Sequence, residues 1–150
     1  LEDQRAAILP QRALMPEERK GEVCACEESP ILIVDDNDFN LATLQMLVKQ
    51  ESLIEPDQAR DGLEALNLFK EKAQRAPHCS EARCLKLRHR LVFMDLNMPE
   101  KDGFDSAREI LAFARANSLE PPKIIALTAF VGSDTVRRCL SEVGMVEVLN

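Results

Sequence analysis

Two short apolar runs in this chain end abruptly in aspartate, and they constrain its fold more than anything else in it. Leu91-Val92-Phe93-Met94 runs into Asp95, and sixty residues earlier Ile31-Leu32-Ile33-Val34 runs into Asp35-Asp36. An unbroken run of four apolar residues suits a strand buried on both faces, as in a parallel sheet. An acidic residue directly behind it then stands at the carboxyl edge of that sheet, where open α/β folds place their chemistry. After Asp95, Pro99 blocks further regular pairing and Asp102-Gly103 reads as a turn opening a helix.

The rest of the chain alternates strand and helix. Asp38 or Asn37 can cap a first helix, with Phe39, Leu41, Leu44, Leu47 and Val48 at helical spacing to about Gln50. A short weak strand is expected over Ile54 to Ala59, with Pro56 marking either an edge strand or a position without a ladder bond. Asp61-Gly62 starts a second helix striped by Leu63, Ala65, Leu66, Phe69 and Ala73, which Pro77 ends. Phe104, Ala107, Ile110, Leu111 and Ala114 stripe the third helix, and Lys123 to Leu127 forms a fourth strand that delivers Thr128-Ala129 to its end. Ser133 or Asp134 caps a short fourth helix, with Val136, Cys139, Leu140 and Val143 inward and Gly144 as its stop; Val146 to Leu149 is a fifth strand. This alternation argues a doubly wound α/β fold, five parallel strands in the flavodoxin-like order 2-1-3-4-5. In that order strands 1 and 3 are neighbours, so Asp35, Asp36 and Asp95 share one crevice with Thr128 one strand away.

Composition narrows the functional classes. At 150 residues one domain is expected, and a net charge of −7 argues against a general nucleic-acid binder. No apolar run approaches membrane-spanning length and the polar N-terminus is no signal peptide, which favours the cytoplasm and no membrane contact. Five cysteines, an odd number in no compact framework, read as reduced thiols. Residues 1–29 read as a tail or linker, interrupted by Pro10 and Pro16, with residues 30–150 as the domain. Cys24-Ala25-Cys26 has no further ligands near it in sequence, so two ordinary thiols are the simpler reading. Residues 76–90 hold His78, His89, Cys79, Cys84 and the basic Arg83, Lys86, Arg88 and Arg90. These ligand types suit zinc, but their spacings match no common finger, and a solvated loop is the simpler reading, with a docking patch for an acidic partner between the two.

Three converging carboxylates repel one another unless a cation joins them or some protonate. Mg²⁺ fits, because it takes one or two carboxylates, keeps waters and accepts a phosphoryl oxygen. A carboxylate at such a site can be a nucleophile toward phosphorus, giving an aspartyl phosphate, and the Thr128 hydroxyl could hydrogen-bond the phosphoryl oxygens. Asp36 and Asp38 also have the two-residue spacing of a phosphatase pair of the haloacid dehalogenase type, but Asn40 stands where a Thr or Val is expected.

ILIVDDND, ARDGLEAL, LVFMDLNMPEKDGFD, IIALTA and GMVEVL, in that order, resemble the receiver domain of two-component signalling, the module of response regulators and hybrid histidine kinases. The resemblance covers about residues 30–150, and the wording of MPEKDGF resembles hybrid-kinase receivers. It implies that Asp95 is the phosphoacceptor, that Asp36 binds Mg²⁺ directly and Asp35 largely through water, and that the backbone carbonyl of Asn97 is the third protein ligand. It implies Thr128 as the switch hydroxyl, Ala129 as the small residue leaving it access, and a histidine kinase or histidine phosphotransfer domain as partner. It makes the chain a signalling domain that assists its own phosphorylation and dephosphorylation, rather than an enzyme.

Two departures stand out. The lysine that receivers carry just after the fifth strand would fall beyond Asn150 and the fifth helix is missing, so apolar surface on the central strands is expected to lie bare; truncation of a longer protein accounts for this. Val148 stands where many receivers carry an aromatic switch residue. Both departures favour the alternative of a receiver-like interaction scaffold independent of phosphorylation; the intact acidic trio disfavours it.

Overall fold

The structure is a computed structural model that describes residues 26–75, 84 and 88–150. Five parallel strands, β1 (Ile31–Val34), β2 (Asp57–Ala59), β3 (Leu91–Asp95), β4 (Lys123–Leu127) and β5 (Glu147–Leu149), form one sheet in the order β2-β1-β3-β4-β5. The helices between them are α1 (Asp38–Ser52), α2 (Gly62–Gln74), α3 (Gly103–Ala116) and α4 (Ser133–Arg137), which continues as a π-helical segment over Arg138–Val143. The flavodoxin-like order expected from the sequence is the observed one. No helix among the described residues is long and apolar enough to cross a membrane.

Strand pleat divides the core in two. Leu32, Val34, Val92, Met94, Ile124 and Ala126 face α2, α3 and the π-helical segment, packing with Phe69, Ile110, Leu111 and Cys139 into the larger cluster. Ile31 and Ile33 face the other way and meet Leu41 and Val48 of α1, with Leu91 and Phe93 only partly covered. Phe93 pairs with Ile125 and Leu127 with Leu149, so these residues continue the second face. Ile125 and Leu127 are half-buried and Leu149 is exposed, because no helix after β5 packs there among the described residues. The bare face expected from the sequence is present.

Several local expectations need correction. Phe39 (78% exposed), Leu47, Leu63 and Leu140 point to solvent although they sit at helical spacing. A 3.6-residue period predicts a stripe wider than the strip a neighbour covers, and residues at its margin stay wet. β2 is only Asp57–Ala59, starting after Pro56. The expected strand was longer, but both readings of Pro56 hold: β2 is an edge strand, and Pro56 lies outside its ladder. α1 runs to Ser52 and ends on left-handed Leu53; its cap is Asn37, whose side chain accepts from the N–H groups of Phe39 and Asn40. α4 has Gly132 at its N-cap and no side-chain cap, so neither Ser133 nor Asp134 plays that part. Gly144, at φ 92°, does stop the π-helical segment.

Residues 76–83 and 85–87 lie outside the described set, and with them Pro77, His78 and Cys79. Within the expected solvated loop, His89 is instead buried. Its Nε2 lies 2.7 Å from Asp57 Oδ2, and the ring stacks on Phe69 at 6.1 Å. The Lys72 ammonium, also buried, reaches the same Asp57 oxygen at 2.8 Å and Glu28 at 3.1 Å and donates to the Ser29 carbonyl. Thus Glu28 and Ser29, expected in a tail, are packed on α2.

Candidate functional site

The parallel register fixes the site before any side chain is considered. Val34 pairs with Met94 and Asp95 with Leu127, so the residues leaving β1, β3 and β4 emerge at one edge. Asp35, Asp36 and Asp95 each place a carboxylate oxygen within 4.8 Å of the others. Asp35 is buried, Asp95 half-buried and Asp36 exposed. The spatial convergence expected from the sequence is therefore observed.

The backbone around the trio is tied down. Asp35 N–H donates to the Ala59 carbonyl at 3.2 Å, binding the end of β1 to β2. Asp35 Oδ1 accepts from Asn37 N–H at 2.8 Å, and Asn40 Nδ2 donates to both Asp35 oxygens at 3.2 and 3.1 Å. Asp95 Oδ1 accepts from Asn97 N–H at 3.1 Å. Asn97 was expected to act through its carbonyl; the bond the structure displays uses its amide.

Burial pushes the Asp95 carboxyl above its ordinary value, and the negative charges of Asp35 and Asp36 push it further, while N–H groups of Asn97 and Leu96 oppose them. Three carboxylate oxygens this close, one of them held above its ordinary pKa by burial first and by its acidic neighbours second, are a donor set short of positive charge. A hard divalent cation with oxygen ligands fits it.

Thr128 is buried, and its N–H donates to the Leu149 carbonyl at 3.1 Å. Its hydroxyl faces two ways along the loop, donating to the Phe130 carbonyl at 3.1 Å and accepting from the Phe130 N–H at 3.2 Å. Phe130 itself is 73% exposed and Ala129 is exposed. Asp35, Asp95, Asn97 and Thr128 line one open cleft of ≈ 530 Å³ whose opposite wall is apolar, from Phe39, Leu44, Leu47 and Leu149. Sequence reasoning missed Asn40 as the residue that orients Asp35 and Phe130 as the partner of Thr128. A polar residue in the first turn of α1 was the available signal for Asn40; nothing in the sequence marks Phe130.

On the far side of the loop, Gly103 packs against the end of β3. A Cβ there would lie 2.1 Å from the Asp95 carbonyl oxygen, so only glycine lets α3 approach the strand end this closely. Asp102 caps α3 by accepting from Asp105 N–H at 2.8 Å, and Gly103 N–H closes the loop onto the Leu96 carbonyl at 3.2 Å.

Comparison with known proteins agrees with this geometry. A Dictyostelium discoideum protein named hybrid signal transduction histidine kinase B is 33% identical over 127 residues, covering 79% of this chain but 6% of its own length. The chain thus spans a small part of that curated relative, and 8% of the osmosensing histidine protein kinase SLN1 of Saccharomyces cerevisiae, to which it is 30% identical over 77% of its own residues. The receiver domain of the histidine kinase CKI1 from Arabidopsis thaliana, solved with Mg²⁺ and BeF₃⁻, superposes with a TM-score of 0.66 at 29% identity, covering 80% of this chain and 78% of that one. Residues 31–150, from the first residue of β1 through β5, match a single family description, and the chain belongs to the response regulator receiver domain family.

Proposed function

We propose that this chain is a phosphoacceptor switch that takes a phosphoryl group on Asp95 from a phosphohistidine. The observation that carries this reading is the convergence of Asp35, Asp36 and Asp95 within 4.8 Å of one another, in a cleft that also holds Thr128. An Asp95 carboxylate oxygen attacks phosphorus, the phosphorus–nitrogen bond of the donor breaks, and the imidazole, protonated on its other ring nitrogen, departs neutral. Mg²⁺ held by Asp35, Asp36, Asp95 and the Asn97 carbonyl would offset charge on the phosphoryl oxygens; Asp36 would ligate it directly and Asp35 largely through water.

The residues around the cleft do the positioning. Asn40 and the Asn37 N–H hold Asp35 in place, and the Asn97 N–H fixes one Asp95 oxygen. The added charge of about −1.5 to −2 draws the Thr128 hydroxyl toward the phosphoryl oxygens, and exposed Ala129 leaves it room. α4 and β5 then shift between two pre-existing arrangements. Water later removes the phosphoryl group and resets the switch, with no separate substrate turned over.

The partner is a histidine kinase or histidine phosphotransfer domain. In support, the receiver domain of Ssk1 in its complex with the histidine phosphotransfer protein Ypd1 from Saccharomyces cerevisiae superposes with a TM-score of 0.63 at 29% identity, over 79% of this chain and 75% of that one. By the same reading the chain is the receiver portion of a larger, cytoplasmic signalling protein of the hybrid-kinase type. Incubation with Mg²⁺ and acetyl phosphate tests it. The expected result is a hydrolysable phosphoryl mass gain on the peptide containing Asp95, absent from Asp95→Asn. No mass gain, together with no conformational response to Mg²⁺ and beryllofluoride, would hand the chain to the phosphorylation-independent scaffold reading.

A further inference from the structure

The opposite end of the sheet holds a second chemical feature. Cys26, four residues ahead of Pro30, and Cys84, in the connection between α2 and β3, are 58 residues apart in sequence. Their Sγ atoms lie 3.4 Å apart, and both side chains are half-buried. The reading of Cys26 as a thiol with no ligand-type neighbour is therefore corrected: its neighbour comes from the connection between α2 and β3. Cys139 differs from both, being buried in the main core.

The ground next to Cys26 is firm. Glu28, two residues on from Cys26, holds Lys72 and Arg75 of the last turn of α2, each at 3.1 Å, and Ser29 is buried with its carbonyl bonded to Lys72. The segment carrying Cys26 is thus fixed at the place where α2 hands over to the connection bearing Cys84. A disulfide needs the sulfurs at ~2.05 Å, so closure asks a little over ~1 Å of travel. Neither cysteine lies in a helix or strand, so side-chain rotation and small loop adjustment supply it.

We propose that Cys26 and Cys84 form a reversible disulfide by exchange with a low-molecular-weight disulfide such as oxidised glutathione. One cysteine thiolate attacks a glutathione sulfur, giving a mixed disulfide and releasing one glutathione. The second thiolate attacks the protein sulfur of that mixed disulfide, forming the Cys26–Cys84 bond and releasing the second glutathione. The two cysteines are oxidised, the glutathione disulfide is reduced, and the two thiol protons pass to the glutathione thiolates. Either thiol can make the first attack, and the other then resolves the mixed disulfide. The bond closes a loop containing β1, α1, β2 and α2 at the amino ends of the strands, away from the acidic trio at their carboxyl ends.

The test is a glutathione redox titration of the chain, followed by alkylation and non-reducing peptide mapping. The expected result is a peptide pair joined through Cys26 and Cys84, two glutathiones released per chain, and a Tm that rises on oxidation. Cys26→Ser should stop at a glutathione adduct on Cys84 and lose the Tm rise, while keeping the Tm of the reduced parent. Two free, alkylatable thiols at the oxidising limit would overturn the proposal. So would a different cysteine pairing, or stoichiometric zinc that must be removed before oxidation proceeds, which would make the pair metal ligands instead.

Discussion

Asp95 bears an uneven electrostatic load. Its burial and its two acidic neighbours all disfavour the carboxylate, and two backbone N–H groups only partly oppose them. For an acid whose pKa is raised on folding, the ionised form at neutral pH is held at a loss of stability relative to the unfolded chain. Asp95→Asn removes that charge and keeps an oxygen for the Asn97 N–H. It should therefore raise Tm by a few degrees in metal-free buffer, and the advantage should shrink or reverse when millimolar Mg²⁺ stabilises only the parent; thermal unfolding with and without the cation measures both. His89 carries the opposite kind of strain. Burial lowers its pKa from the ordinary 6.5, more than Asp57 beside it can restore. Burial also raises Asp57, but hydrogen bonds from His89 and Lys72 outweigh this and hold it below 3.8. For both groups the unfolded chain binds protons first, so acidification destabilises the fold. Stability should decline as pH falls through about 6.5, with a further loss near and below about 3.8. Urea midpoints across that range check it, and His89→Gln should flatten the upper part of the decline.

At the scale of elements, the close seat of α3 on β3 is a tight steric constraint. Gly103→Ala would drive a methyl into the Asp95 carbonyl, and a shift of α3 to relieve it would disturb the strand end carrying the acidic site. A loss of about 2 kcal/mol in urea unfolding is expected, with weaker beryllofluoride binding. Lys72→Met should cost a similar amount, about 2 kcal/mol. It leaves Asp57 and the Ser29 carbonyl without their ammonium, although half-exposed Asp57 regains water. The two contacts differ in how far they can be read from sequence. Asp102-Gly103 after the proline loop announces a capped helix, because its cause is local. Lys72 joins residues from three separate segments, and its one advance signal is position: it falls three residues after Phe69, on the buried stripe of α2. β1 was legible for the same reason as the cap, since a residue run buried on both faces has to be apolar throughout. Phe39, Leu47, Leu63 and Leu140 were not, because helical spacing says which residues share a face but not whether anything covers it.

Across the whole molecule, parallel strands sort the chemistry by end. The acidic trio and Thr128 gather where the strands finish, while the thiol pair and the Lys72–Asp57–His89 network gather where they begin. The convergence of Asp35, Asp36 and Asp95 could be read from topology alone, because parallel order fixes which strand ends are neighbours. The network at the other end could not, because loops of unrelated length bring its members together. Thr128 shows what such sorting does for signalling. Its one proton already belongs to the Phe130 carbonyl and its lone pair to the Phe130 amide, so the hydroxyl cannot swing toward Asp95 without letting that turn go. Under the proposed switching role, an aromatic side chain that stands in water would report the state of the cleft, and the two small bonds that restrain Thr128 would set how strong a chemical signal is needed to move it.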